Sequence, residues 1–173
     1  MTFKAAPFLP TSRKEMERLG WDELDIIIIT GDCYVDHPSF GTSIIGRHLE
    51  SLGYKVGMIA QPDWKDPESL LVMGQPRIGV GVSSGNMDSM VNIYTAGRRK
   101  RREDAYIENG ETGQRPPHAL VVYSQLAKRA FPGVPVVLGG LEASMRRATH
   151  YDYWQDKLIM GCLTNPIRVN PSI

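Results

Sequence analysis

Residues Asp25–Gly41 read DIIIITGDCYVDHPSFG, and this stretch decides the architecture. Its four consecutive isoleucines, Ile26 to Ile29, make a strand apolar on both faces. Such a strand belongs inside a parallel sheet covered by helices on each side. Polar residues released at its C-terminal end face the crevice where open α/β sheets bind ligands. Thr30, Asp32, Asp36, His37 and Ser39 are therefore the first candidates for chemistry.

The pattern continues on both sides of this stretch. Ser12 and Glu15 have capping-box spacing, which predicts a short helix from Arg13 to Gly20. Ile44, Ile45, His48, Leu49 and Leu52 share one face of a predicted helix over 42–52, ended by Gly53. A second strand is predicted over 54–60. Asp66 and Pro67 start a helix that Gly74 stops. The third strand, 77–83, carries Ile78, Val80 and Val82 on one face and Gly79 and Gly81 on the other. Glycine inside a strand implies that another group packs close. Ser83, Ser84, Gly85 and Asn86 form a polar turn before a helix predicted over 87–96. Residues 97–117 break the pattern as a charged excursion ending in Pro116-Pro117. A helical stripe from Ala119 to Ala130 follows, and then a fourth strand, Val134 to Leu138, running into Gly139-Gly140.

Strands alternating with helices predict an α/β fold with a doubly wound, mostly parallel sheet of flavodoxin-like type. The turns after Ile29, Val82 and Leu138 would then open along a common rim. A sheet of four strands leaves an edge for another strand or a second copy, so a homo-oligomer through that edge is one expectation.

Composition narrows the classes. The chain has 173 residues, with 20 Lys plus Arg against 19 Asp plus Glu. Global charge therefore does not point to nucleic acid. No apolar run approaches the roughly 18 residues that span a bilayer, and the N-terminus has no secretory h-region. Cys33 and Cys162 form neither a disulfide framework nor a metal-site spacing, so no metal site is expected. The expectation is a reduced, cytoplasmic protein without membrane contact.

Each candidate site has a chemical and a plain structural reading. Asp32 or Asp36 beside His37 suits proton transfer; equally, Asp32 caps the next segment and Pro38 starts a helix. Ser83, Ser84 and Asn86 before a helix suit a phosphate or carboxylate; equally, they form an ordinary cap. Gly139, Gly140 and Glu142 are the third set of crevice candidates, the glycines allowing a ligand close to the backbone; equally, Glu142 complements a helix dipole. Arg98, Arg99, Lys100, Arg101 and Arg102 are candidates for phosphate or nucleic-acid contact, flanked by Tyr94 and Tyr106. Glu103, Asp104, Glu108 and Glu111 neutralise much of that run. Arg146, Arg147, His150, Asp152 and Trp154 combine charge with aromatics, and Arg146 and His150 would share a face if a helix ran through both. His48 and His118 read as helix residues rather than ligands.

Five stretches in order carry a resemblance: FLPTSRKEMERLGWDELDIIIITGDCYVDHPSFG, GMIAQPDW, SSGNMDSMVNIYTAGRRKRREDAY, VYSQLAKRAFPGVPVVLGGLEAS and RRATHYDYWQDK. Together they resemble the N-terminal domain of the YgiQ-like family of radical S-adenosylmethionine (radical SAM) proteins, from Phe8 to about Leu158. The resemblance implies that a barrel domain follows, with a Cys-x-x-x-Cys-x-x-Cys motif for a 4Fe–4S cluster. This chain lacks that motif. Its last residues, 159–173, IMGCLTNPIRVNPSI, depart from the family's continuation, so the chain is expected to be truncated, with the domain over 1–158. The family domain is also similar to cobalamin-binding domains that use Asp-x-His-x-x-Gly. Here Asp36 and His37 are adjacent and Gly41 lies four residues on, so that ligand is not carried over.

The resemblance implies an accessory domain of a radical SAM enzyme, inactive alone, that shapes a substrate or cofactor pocket. The cluster and S-adenosylmethionine would belong to the full-length family only. Residues 146–154 would dock the missing radical SAM domain. The alternatives are a free-standing module for a nucleotide or cobalamin, and an RNA-binding module through residues 98–102.

Overall fold

The computed structural model describes residues 7–160. Its order is α1 (Arg13–Arg18), β1 (Ile26–Thr30), α2 (Gly41–Ser51), β2 (Val56–Ala60), a 3-10 helix (Pro67–Met73), β3 (Gly79–Ser83), α3 (Ser89–Ile93), a 3-10 turn (Glu108–Gly110), α4 (Ala119–Ala130), β4 (Val136–Gly139), α5 (Gly140–Arg147), β5 (His150–Asp152) and β6 (Lys157–Ile159). Strands β1 to β4 form an all-parallel sheet in the order β2-β1-β3-β4. These are the first four positions of the flavodoxin-like order, so the doubly wound fold read from the sequence holds. β5 and β6 form a separate antiparallel pair.

The isoleucine run occupies the centre because both faces are covered. Ile27 and Ile29 enter the main core with Val80, Val82, Leu120, Tyr123 and Phe131. Ile28 packs on the opposite face with Leu9, Val56 and Met58. α2 approaches this second face through Gly46, where a Cβ would collide with the Leu9 side chain. Gly57 makes equivalent room for Leu24 and Met73 on the first face.

The outer edge of β2 is closed by the N-terminal segment, whose Pro10 carbonyl accepts from the Met58 N–H at 2.9 Å. Among the described residues, β4 has one neighbour in the sheet, β3.

Several boundaries differ from the sequence pattern. The segment after Asp66 winds as a 3-10 helix, with the Asp66 side chain accepting from the Glu68 N–H at 2.9 Å. The helix predicted over 87–96 is only Ser89–Ile93, capped by Asp88, because the chain turns at Tyr94 to bridge Lys100. Ser12 makes no side-chain cap; Glu15 instead accepts from the Thr11 N–H at 2.7 Å and its hydroxyl at 2.9 Å. The start after Pro38 is delayed to Gly41. The helix holding Arg146 stops at Arg147, so His150 lies on a strand and does not share its face. The tail 161–173 lies outside the described residues. No helix among the described residues is long and apolar enough to cross a membrane.

Candidate functional site

Register brings the strand ends together. Thr30 of β1 pairs with Ser83 of β3, and Ser83 pairs with Gly139 of β4. The turns after these residues therefore open on one rim. β1 and β3 flank the point where the strand order reverses, which is where open α/β sheets form their crevice.

That crevice is filled by the protein itself. Arg115 reaches in from the end of the excursion, its side chain 1% exposed. Its Nη2 donates to Asp32 Oδ1 at 2.8 Å, its Nε donates to Asp104 Oδ2 at 3.1 Å, and its Nη1 donates to the Ser84 carbonyl. The Asn86 N–H donates to the second Asp32 oxygen at 2.7 Å. Gly31 and Gly85 are required here: a Cβ on Gly31 would strike the Ser84 carbonyl, and one on Gly85, at φ +112°, would strike the Asp32 carboxylate. Burial is the largest influence on Asp32 and raises its pKa, against the Asn86 N–H and the Arg115 charge. Burial alone would lower Arg115, but Asp32 and Asp104 together raise it. The group is thus a buried ion triad.

A second buried carboxylate organises the neighbouring corner. Glu142 is fully buried. It accepts from the Ser89 N–H at 2.9 Å, the Leu120 N–H at 3.3 Å and Arg146 Nε at 3.1 Å. It therefore closes the starts of α3 and α4 while sitting in the first turn of α5. Arg146 also reaches Asp88 at 3.3 Å, and Asp88 caps α3 through the Met90 and Val91 N–H groups. Arg146 thus belongs to this buried corner, whereas Arg147 is exposed.

The other predicted residues fall into three groups. Asp36 is bound by Arg47 of α2, and His37 Nδ1 accepts from the Ser39 N–H at 3.1 Å, so this segment is a braced turn. Asn86 Nδ2 reaches the Ser39 carbonyl at 3.2 Å and ties the first two turns together. His37, Ser39 and Gly140 are exposed on the rim, Asn86 and Gly139 are half-buried, and Thr30, Ser83 and Ser84 lie beneath it. Beside this rim, at the ends of β1 and β2, a cavity of about 780 Å³ is lined by Cys33, Tyr34, Gln61, Asp63 and Glu108 among others.

Arg98 to Arg102 lie exposed on the hairpin after α3. Arg98 donates to the Tyr153 carbonyl and sits 5.8 Å from the Trp154 ring centre, and Trp154 packs on Tyr94 at 4.5 Å. Asp152 Oδ1 accepts from the Trp154 and Gln155 N–H groups, at 2.8 and 3.2 Å. These bonds outweigh burial, the largest single influence, and lower the Asp152 pKa. His150 Nδ1 lies 3.0 Å from the Ala148 carbonyl. Arg115, Asp88 and Arg47 were not singled out by sequence reasoning, and Asp104 was read only as a neutralising charge, because a lone charge carries no sign of its partner.

Two expectations follow. Arg115→Ala leaves Asp32 and Asp104 buried and uncompensated, which costs about 3–5 kcal/mol in urea unfolding; a loss under about 1 kcal/mol would contradict the triad's role. His118 precedes α4 at φ +52° without a side-chain cap bond, and burial, reinforced by Arg146, lowers its pKa. Its contribution is present above the ordinary histidine value and drains away as pH falls below about 6.5, because the unfolded chain then binds a proton the folded chain refuses. His118→Asn also suits the left-handed backbone. It should flatten the fall in urea midpoint between about pH 7 and pH 5; an unchanged slope would assign that fall elsewhere.

The family model described as "Radical SAM N-terminal" matches residues 8–166. A UPF0313 protein of Rhodopseudomonas palustris is 60% identical over 162 residues, 94% of this chain and 24% of that protein. UPF0313 proteins of Vibrio vulnificus and Pseudomonas aeruginosa are each 59% identical over 90% of this chain, covering 20% and 21% of their own lengths. The chain thus spans about a fifth to a quarter of the curated relatives it matches. No solved structure matches it. The chain belongs to the radical SAM N-terminal family, in the YgiQ-like UPF0313 group that its motifs resemble.

Proposed function

We propose that this chain is an accessory domain of a radical SAM enzyme and that its rim shapes the substrate or cofactor pocket of the longer protein. The donor set carries this reading. A 4Fe–4S cluster is held by several cysteine thiolates. The sequence offers only Cys33 and Cys162. Cys33 is half-buried, and burial, reinforced by the Asp32 charge, raises its thiol pKa. The residues of this chain do not fit a cluster, so its iron chemistry belongs to the rest of the protein.

What the chain contributes is positioning. The Arg115 triad and the Glu142 corner fix the turns rigidly, and rigid second contacts are what hold pocket walls in place. The open ground is the exposed rim at His37, Ser39 and Gly140, together with the cavity at the ends of β1 and β2. None of the residues named for that cavity is cationic, so it suits a neutral or cationic group better than a phosphate. Anaerobic reconstitution of the 173-residue chain with iron and sulfide tests the reading. Iron content should stay far below one cluster per chain, while the full-length Rhodopseudomonas relative takes one up. A stoichiometric cluster on this chain alone would overturn it.

A groove of about 600 Å³ between α3 and the β5–β6 pair supports a second reading, contact with single-stranded RNA. Tyr94, Tyr153 and Trp154 line it beside Arg98 and Arg101, and aromatic faces next to cations suit stacked bases and phosphates. Replacing residues 98–102 by alanine should abolish salt-sensitive binding of an oligonucleotide in fluorescence anisotropy. Binding that survives the replacement would discard this reading.

A further inference from the structure

We infer that the outer face of α2, carried by Ile44, Ile45, His48 and Leu52, is the surface on which the rest of the polypeptide docks in the longer proteins of this family, and that the docked surface is apolar and uncharged.

The face is turned outward by its anchors. The spacing of Ile44, Ile45, His48, Leu49 and Leu52 reads as one apolar stripe, yet Leu49 alone among them joins the core. The residues buried beneath α2 are Ser43 and Gly46. A Cβ on Gly46 would collide with the Leu9 side chain, so a larger residue has no room there. The Ser43 hydroxyl donates to the Val35 carbonyl at 2.6 Å, and Arg47 is held by Asp36, Glu50 and the Pro7 carbonyl. These bonds fix the roll of the helix. Successive residues step by about 100° around an α-helix, which sets Ile44, His48, Leu52 and Ile45 opposite Ser43 and Gly46. Ile44 is 51% exposed, Ile45 53% and Leu52 60%.

The make-up of that face is the second observation. The exposed residues from Gly41 to Tyr54 are glycine, isoleucine, histidine, serine, leucine and tyrosine, with no Lys, Arg, Asp or Glu among them. Arg47, the central charge of α2, is paired with Asp36 and Glu50. Other helices show the ordinary pattern: α1 exposes Arg13, Lys14, Glu17 and Arg18, and α4 exposes Lys128 and Arg129. Apolar side chains kept in water without charges beside them mark the centre of an interface. The stripe points away from the sheet, beyond the helix layer, so neither a further strand nor a further helix laid on the sheet would cover it.

The size of the face decides its occupant. A helix of 11 residues is about 16 Å long and about 10 Å across, so its outer face offers on the order of 200 Å². A stable complex of separate chains buries about 800 Å² per partner. A second copy meeting this one through α2 falls well short of that. A domain tethered in the same chain does not need such an area, because its linker holds it at about millimolar effective concentration. The matched segment makes up 24% of the Rhodopseudomonas relative and 20% of the Vibrio vulnificus relative, so most of each of those chains is available to supply the partner surface.

The inference rests on the accessory-domain reading only in taking the rest of the longer protein as the neighbour. Maleimide labelling of Ile45→Cys, followed peptide by peptide in mass spectrometry, tests it in this chain and at the aligned position of the full-length Rhodopseudomonas relative. The introduced thiol should react at least about tenfold faster in this chain than in the relative. Ile45→Lys should leave the thermal midpoint of this chain within about 2 °C, because the side chain is already in water, and the matching substitution should lower that of the relative clearly more. Equal labelling in both proteins, or equal effects of Ile45→Lys, would overturn the inference. Fast labelling in both leaves the face open in the longer protein. Slow labelling in both gives the face to this chain's own ends or to a second copy, which sedimentation tells apart. A cluster assembling on this chain would sink the accessory role without altering the labelling, so the two failures are distinguishable.

Discussion

The fold's upper end depends on one guanidinium placed where a ligand would otherwise sit. Arg115 meets Asp32, Asp104 and the Ser84 carbonyl at the point where the strand order reverses. A charged group without water is tolerated only when its partners nearly surround it. The excursion is therefore tied to the sheet by electrostatics rather than by an apolar face. The Tyr106 carbonyl, accepting from the Cys33 N–H at 2.8 Å, completes the attachment. This explains how an irregular segment of about 20 residues stays ordered within a compact domain.

The sheet was legible because its signals are local and repetitive. Ile26 to Ile29 are apolar at every position, which only a doubly covered strand accommodates. Val80 and Val82 alternate with Gly79 and Gly81 and take the core face the alternation predicts, whereas Ile78 falls before β3 and is 44% exposed. The common rim followed once the strands were parallel, since the register sets Thr30, Ser83 and Gly139 level.

The contents of the rim were legible only in part. Asp32 stood out through its place after β1, but its partner lies 83 residues on in a stretch that reads as solvated charge. Nothing local separates Arg115 from Arg98 or Arg102; burial divides them, and burial is a property of the folded chain. Glu142 likewise reads as a crevice residue or a complement to a helix dipole, and proves to be fully buried as a shared acceptor. Asp88, four residues beyond the Ser84 that was taken as a cap, does the capping because Ser84 turns its hydroxyl to the Met87 carbonyl. Side-chain competition for backbone groups is decided over a few ångströms, below what spacing alone resolves.

The Glu142 corner has a mechanical side. One carboxylate serves the starts of α3 and α4 and belongs to α5, so the three helices share a single pivot. Loss of the Glu142 carboxylate would therefore strip the Ser89 and Leu120 N–H groups and Arg146 of a shared acceptor in a single step.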